Sequence, residues 1–200
     1  MKKKAHKFFE TFFLKERCLF KVATKTDMLS EDDVSRISIC DNSSDLPEEV
    51  HGSLSLDDVL EKHVRARRYK ESWISFFYIT EGHLKGYAFL HIPKESEWND
   101  ALETKMDEAR ISSVYVYENC RGNRIAEKLV SAMARHAKTL ERKPWSVVEK
   151  TNTASMKLFS RVGDVYRNNY LFKIWGRNII SAVGNPIEVN VLLGSKRARR

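Results

Sequence analysis

Val114–Ala126, VYVYENCRGNRIA, is the stretch on which the reading of the whole chain turns. It closes a run, RISSVYVY over 110–117, rich in the β-branched and aromatic residues that suit a strand. Arg121 and Gly122 then mark a short turn. From Asn123 to Leu140 the apolar residues change to a helical period. Ile125, Leu129, Met133 and Leu140 line one face, while Glu127, Lys128, Arg135 and Lys138 lie opposite. The first amides of a helix have no partner within it, and the helix dipole adds positive potential there. A strand, a glycine-bearing turn and a helix start therefore form a site for an anion, above all a phosphate. Gly122 lets a ligand approach the backbone closely. Two cations at this end, Arg121 and Arg124, are unfavourable by about 0.3 kcal/mol or more unless something negative binds beside them.

Outward from this stretch, further elements follow. Trp73–Thr80 and Leu84–Ile92 read as a hairpin about the turn Glu81-Gly82-His83, and Pro93 stops it. Residues 94–108 read as a polar loop or short helix. Pro144–Lys150 reads as a short strand. Asn152–Val162 reads as a helix, capped by Thr151 or Asn152 and ended by Gly163. Val165–Trp175 reads as strand, Asn168-Asn169 turn, strand, and residues 184–193 as a last strand. Before the hairpin, Ser30 caps a short acidic-started helix, and a second helix spans Ser55 to about Tyr69. A strand–helix–strand unit inside a mostly antiparallel sheet implies a three-layer α/β (α+β) domain, with helices flanking a mixed central sheet.

The segment Arg121-Gly-Asn-Arg-Ile-Ala126 resembles motif A of the GNAT superfamily of acyl-CoA-dependent N-acyltransferases, which runs strand, Arg/Gln-x-x-Gly-x-Gly/Ala, helix. Arg121, Ile125 and Ala126 match, and Arg124 replaces the family's central glycine. Downstream, Asn152-Thr-Ala-Ser-Met-Lys-Leu-Phe-Ser-Arg-Val-Gly163 is similar to the family's motif B, with Asn152, Ser155, Leu158 and Gly163 in register. The resemblance covers about residues 70–175. It implies that Val114, Tyr115 and Val116 face the pantetheine arm of acetyl-CoA. It also implies that Arg121, Gly122, Asn123, Arg124, Ile125 and Ala126 cradle the pyrophosphate, with Asn152 near the thiol end.

Transfer of an acetyl group to an amine needs a base for the amine, a donor to the thioester carbonyl and a proton for the departing thiolate. The family's usual acid is a motif B tyrosine. Here that position is Phe159, which has no proton to give. Tyr170 is the candidate acid, with Tyr115, Tyr117 and Tyr166 as the other phenols, each also able to serve in strand packing. Glu118 is the candidate base, although a carboxylate in a turn is ordinarily solvated.

The chain has 200 residues, 42% hydrophobic, and a net charge of +8. This suits a single domain, 1–200, with a basic helical part (1–70), the motif-bearing core (71–175) and a C-terminal strand with a basic tail (176–200). No run approaches the roughly 18 apolar residues of a membrane span. The start, MKKKAHKFFETFFLKERCLF, is broken by Glu10, Lys15, Glu16 and Arg17 and has no small-residue cleavage site. It reads as a basic amphipathic segment, helical or partly extended, with Phe8, Phe9, Phe12 and Phe13 at helical spacing. Cysteines 18, 40 and 120 have no metal-ligand spacing, and three free thiols in a reducing cytoplasm is the plain expectation. The basic arms Lys2–Lys4, Arg65–Arg68 and Lys196–Arg200 point to a polyanion. The acceptor amine is open: a small molecule, a protein or an aminoacyl-tRNA. A homodimer is compatible with the sequence. The alternative to an enzyme is a non-catalytic GNAT-fold module that holds nucleic acid or protein on its basic surface.

Overall fold

Residues 12–23, 29–41, 45–54, 57–68, 72–99, 102–174, 177–183 and 192–193 are described by a computed structural model of the chain. Strands β3 (Trp73–Thr80) and β4 (His83–His91) form the expected hairpin, with Glu81 and Gly82 at positive φ in the turn. β7 (Glu108–Val116) pairs with β4, and helix α4 (Ile125–Thr139) carries the chain to β8 (Lys143–Glu149). β8 lies parallel to β7, as a helical crossover requires. Helix α5 (Thr153–Val162) then leads into β9 (Gly163–Ile174) and β10 (Arg177–Val183). With β1 (Phe12–Val22), β2 (Ile37–Cys40) and β11 (Leu192–Leu193), the sheet has nine strands in the order β11-β10-β9-β1-β8-β7-β4-β3-β2. All its pairings but β7·β8 are antiparallel.

Both faces are covered. On one, Phe20, Phe76, Ala88, Leu90 and Ile111 pack against Leu129, Val130 and Met133 of α4 and Phe159 of α5. On the other, Phe77, Tyr87 and Phe89 pack against Val50 of α2 (Glu48–Leu54) and Leu60 and Val64 of α3 (Asp58–Arg68). Ser30 closes a reciprocal capping box with Asp33 at the start of α1 (Glu31–Ser35). The Asp57 carboxylate caps α3 by accepting from the amides of Val59 and Leu60 at 3.0 and 2.9 Å. Cys18, Cys40 and Cys120 are free and buried.

Three expectations are corrected, and one left open is decided. The N-terminal segment, read as helical or partly extended, is extended from Phe12: it is β1, inserted between β8 and β9. Cys18, Phe20 and Val22 reach the α4 side and Leu19 the other, so burial on both faces obscures the alternation. Residues 1–11, with Phe8, Phe9 and Lys2–Lys4, lie outside the described residues. Asn168 and Asn169 do not turn; they continue β9, opposite Cys18 and Arg17. Asn168 Oδ1 accepts a long hydrogen bond from Cys18 Sγ at 3.6 Å, so a turn-forming residue type is held in a strand by its partner. The 94–108 segment contains a small hairpin, β5 (Glu97–Asn99) with β6 (Leu102–Thr104). The strand placed at 184–193 is described only at Leu192–Leu193, while Arg177–Val183, unassigned from sequence, is β10. Trp175, 184–191 and the tail Lys196–Arg200 lie outside the described residues. Gly163 does end α5, but in extended backbone. Its glycine is required because a Cβ there would run into the carbonyl of Lys21 on β1.

Candidate active site: a splayed cleft beside an anion-binding turn

Tyr117 still donates its amide to Lys85 O, at 3.1 Å, before the chain leaves the sheet. A single 3-10 turn, Glu118–Cys120, brings it to Gly122, at φ 87°, and Arg124, at φ 57° and ψ 19°. Arg124 thus adopts the left-handed geometry that its position demands, at a cost of roughly 1–2 kcal/mol for a residue with a Cβ. No side chain caps the helix it precedes. The amides that open α4 are left for an external acceptor. A Cβ on Gly122 would meet nothing within 4 Å, so the space over this turn is open.

The two arginines of the turn behave differently. Arg121 is exposed, with Nε 3.4 Å from Val116 O and a loose 3.7 Å contact to Glu118. Arg124 is drawn along the helix to Glu127, at 2.7 Å. Glu127 also takes Arg161 of α5, at 2.7 Å, and its side chain is only 7% exposed. Burial works to raise its pKa, but the hydrogen bonds from Arg161 and Arg124 outweigh it and hold the carboxyl below its ordinary range. The pair α4–α5 is pinned at this point, directly behind the turn.

β7 and β8 are paired only from Glu108/Lys143 to Ile111/Ser146. Ser146 Oγ donates to Ile111 O at 3.0 Å at the last rung. Beyond it both strands continue but separate. Ser113, at φ 52°, is an extra residue in β7: Phe89 faces Ser112 and Tyr87 faces Tyr115, so the bulge swings the strand away. The gap is a cleft of about 400 Å³. Ser112–Val114, Val147–Glu149, Asn152, Ser155 and Phe159 line it, and Arg17, Trp73 and Arg110 close its other side. Backbone amides and carbonyls left by the splay can be met by an extended, amide-bearing ligand.

The turn therefore gathers Arg121, Gly122, Asn123, Arg124, Ile125 and Ala126, and the cleft gathers Val114 and Asn152. Asn152 Oδ1 accepts from Ser155 N at 3.1 Å, capping α5. Tyr115 and Val116 are opposite Tyr87 and Gly86 in the β4 pairing rather than in the cleft lining. Glu118 stands 89% exposed in the 3-10 turn. Tyr170 sits on β9, opposite Glu16 of β1 and Ala182 of β10, with β1 between its strand and β8. Phe159 is a core residue, its ring 5.7 Å from that of Phe20. Tyr117 donates to Asp57 at 2.8 Å; burial and that carboxylate push its pKa well up, so it keeps its proton. Sequence reasoning missed Arg17, Trp73, Arg110 and Ser112. The available signal was a charge inside a strand, in ERCLF and EARIS.

Among the described residues no cluster of potential metal ligands occurs, and no helix is long and apolar enough to cross a membrane. A comparison with curated protein sequences finds no match. Among solved structures, the chain is similar to an acetyltransferase from the GNAT family from Colwellia psychrerythraea. The two are 16% identical over 82% of this chain and 55% of that one, with a TM-score of 0.55. It is also similar to a GNAT-family protein from Novosphingobium aromaticivorans DSM 12444, at 11% identity over 79% and 64%, TM-score 0.54. A third is a functionally unknown conserved protein from Staphylococcus epidermidis ATCC 12228, at 13% over 90% and 68%, TM-score 0.54. The chain spans less than two thirds of the first two proteins' lengths. At these identities the likeness is one of fold. The family model described as the acetyltransferase (GNAT) family matches residues 37–164, more than half of the sequence and all of the turn and most of the cleft. The chain belongs to the GNAT acetyltransferase family.

Proposed function

We propose that the chain transfers an acetyl group from acetyl-CoA to the primary amine of an acceptor in the cytoplasm. The observation that carries this reading is the uncapped start of α4, behind Gly122 and left-handed Arg124, beside the splayed strands. The donor set suits the proposed cosubstrate. Open amides and Arg121 fit a pyrophosphate, and the cleft fits a pantetheine arm. Acetyl-CoA supplies an activated acyl group, so that a C–N bond replaces a C–S bond. Val114 and Asn152 orient the chain of the donor, and orientation accounts for much of the rate when the thioester is already activated. For the protons, Glu118 is the proposed base toward the amine and Tyr170 the proposed acid toward the thiolate.

The test is a thermal melt with acetyl-CoA, CoA and adenosine 3′,5′-bisphosphate, followed by thiol release in the presence of amines. A ligand at about 100 times its dissociation constant stabilises by about 2.7 kcal/mol, a shift of several degrees. No shift with any of the three sinks the reading. Unchanged kcat in Glu118→Gln or Tyr170→Phe removes that residue from the proton path.

The second reading is a GNAT-fold module that binds without turning over. What favours it is Phe159, packed on Phe20 where the family's acid is expected. A melt shift with no thiol release from any amine would select it.

A further inference from the structure

Tyr117 follows β7 directly, and three hydrogen bonds meet on it. Its amide donates to Lys85 O at 3.1 Å, and its carbonyl accepts from Cys120 N at 2.9 Å, closing the 3-10 turn. Its hydroxyl donates to Asp57 Oδ2 at 2.8 Å. The other oxygen of that carboxylate caps α3. Beyond the 3-10 turn, Cys120 O accepts from Asn123 Nδ2 at 3.2 Å, one residue before Arg124. A run of hydrogen bonds thus ties the start of α3 to the start of α4, across 60 residues of sequence. The Tyr117 ring packs against both cores. It stands edge-on to Tyr115 and Tyr87, with ring centres 5.4 and 6.5 Å away. Burial, and then the hydrogen bond to Asp57, raise the pKa of the phenol, so the donor keeps its proton. The amides that open α4 converge on an anion only while the turn holds its shape. Arg124 is in left-handed backbone, and no side chain caps the helix that it precedes. Backbone of that kind persists where the surrounding structure holds it in place.

We propose that Tyr117 is a positioning residue for the anion site: held by Asp57, it fixes where the turn leaves the sheet, and so where the amides of α4 stand when the cofactor arrives. This rests on the transferase reading, in which those amides take the pyrophosphate. Tyr117 acts through the turn and not on the ligand. A molecule whose turn has drifted does not bind, so the apparent dissociation constant rises as the fraction that keeps the shape falls. A hydroxyl bound to a carboxylate is among the stronger hydrogen bonds, and this one is partly shielded from water. The two oxygens of Asp57 have separate tasks, one capping α3 and one holding Tyr117, which lets the contact be removed without removing the cap.

The experiment does not depend on turnover. CoA is titrated into the whole chain by calorimetry. Tyr117→Phe removes the hydroxyl and keeps the ring. Asp57→Ser keeps an oxygen that can cap α3 but falls short of Tyr117. Each should weaken CoA binding by about tenfold. The double variant should bind no more weakly than either single one, because both remove the same contact. Melts establish which variants fold, and one folded single variant is enough for the first comparison. A contact that served only the fold would lower the melting temperature and leave the CoA affinity of the folded protein unchanged. Unchanged affinity in a folded single variant, or losses that add in the double variant, overturns the inference. If the variants bind CoA as the wild type does, only this inference falls; if the wild type does not bind CoA, the transferase reading falls and takes it along.

Discussion

The turn before α4 and the far side of the cleft are both cationic, but their charges are placed in opposite ways. At the turn, Arg121 and Arg124 have side chains 58% and 64% exposed. In the cleft, Arg17 and Arg110 are almost wholly buried. Exposed charge is screened by salt and attracts from a distance; buried charge is screened little and acts only on what fits beside it. The charges of the turn can thus act on a polyphosphate from a distance, and those of the cleft only on what packs against them.

The comparison can be broken most severely at the turn's backbone. Gly122→Asp puts a side chain at φ 87° and a negative charge where an anion would sit. It should lower acetyl-CoA affinity by a factor of about 100 or more, by titration calorimetry, since each 1.4 kcal/mol is tenfold. An affinity unchanged in the folded variant would mean that the turn does not hold the cofactor's phosphates.

A smaller effect is expected behind the turn. Glu127→Gln removes the carboxylate shared by Arg124 and Arg161 and should cost about 1–2 kcal/mol in chemical denaturation. That is below the figure for a wholly buried pair, because both guanidinium groups reach solvent. With its folded pKa lowered from 4.5, Glu127 contributes fully above that value. The contribution is lost as pH falls through the folded pKa. The gap between wild type and variant should therefore close on acidification; a gap that widens refutes the assignment.

The least effect sharpens the comparison. Raising the ionic strength should weaken acetyl-CoA binding measurably, with a shallower dependence in Arg121→Ala.

The two regions also differed in how far they could be read in advance. The turn and α4 declare themselves locally: Ile125, Leu129 and Met133 repeat at helical spacing, and Arg121-Gly122 precedes them within a few residues. Asn152 and Ser30 likewise announce helix starts, because a cap acts on amides two or three residues away. The cleft depends on partners far along the chain. Nothing near Arg17 tells that it will stand opposite Glu149, and Ser113 has no side-chain feature that marks a bulge. The N-terminal segment lacked a strand's alternation because Arg17, Cys18, Leu19 and Phe20 are buried in succession, on both faces of β1, and Asn168-Asn169 mimicked a turn because their role is set by β1. The glycine at 163 was correctly placed at a helix end, yet its physical reason, a close approach to Lys21, is a tertiary one.

The position of β1 has a consequence for how the chain is made. A strand that leaves the ribosome early is a middle strand of the finished sheet, held on both sides by strands that emerge late; the Cys18–Asn168 contact spans 150 residues. Until β8 and β9 are synthesised, β1 has neither neighbour and its apolar residues remain uncovered. Such long-range closure makes folding slow and leaves an intermediate prone to association. Both sides of β1 are closed only after β8 and β9 have been made, so the side of the cleft that includes Arg17 cannot assemble before them.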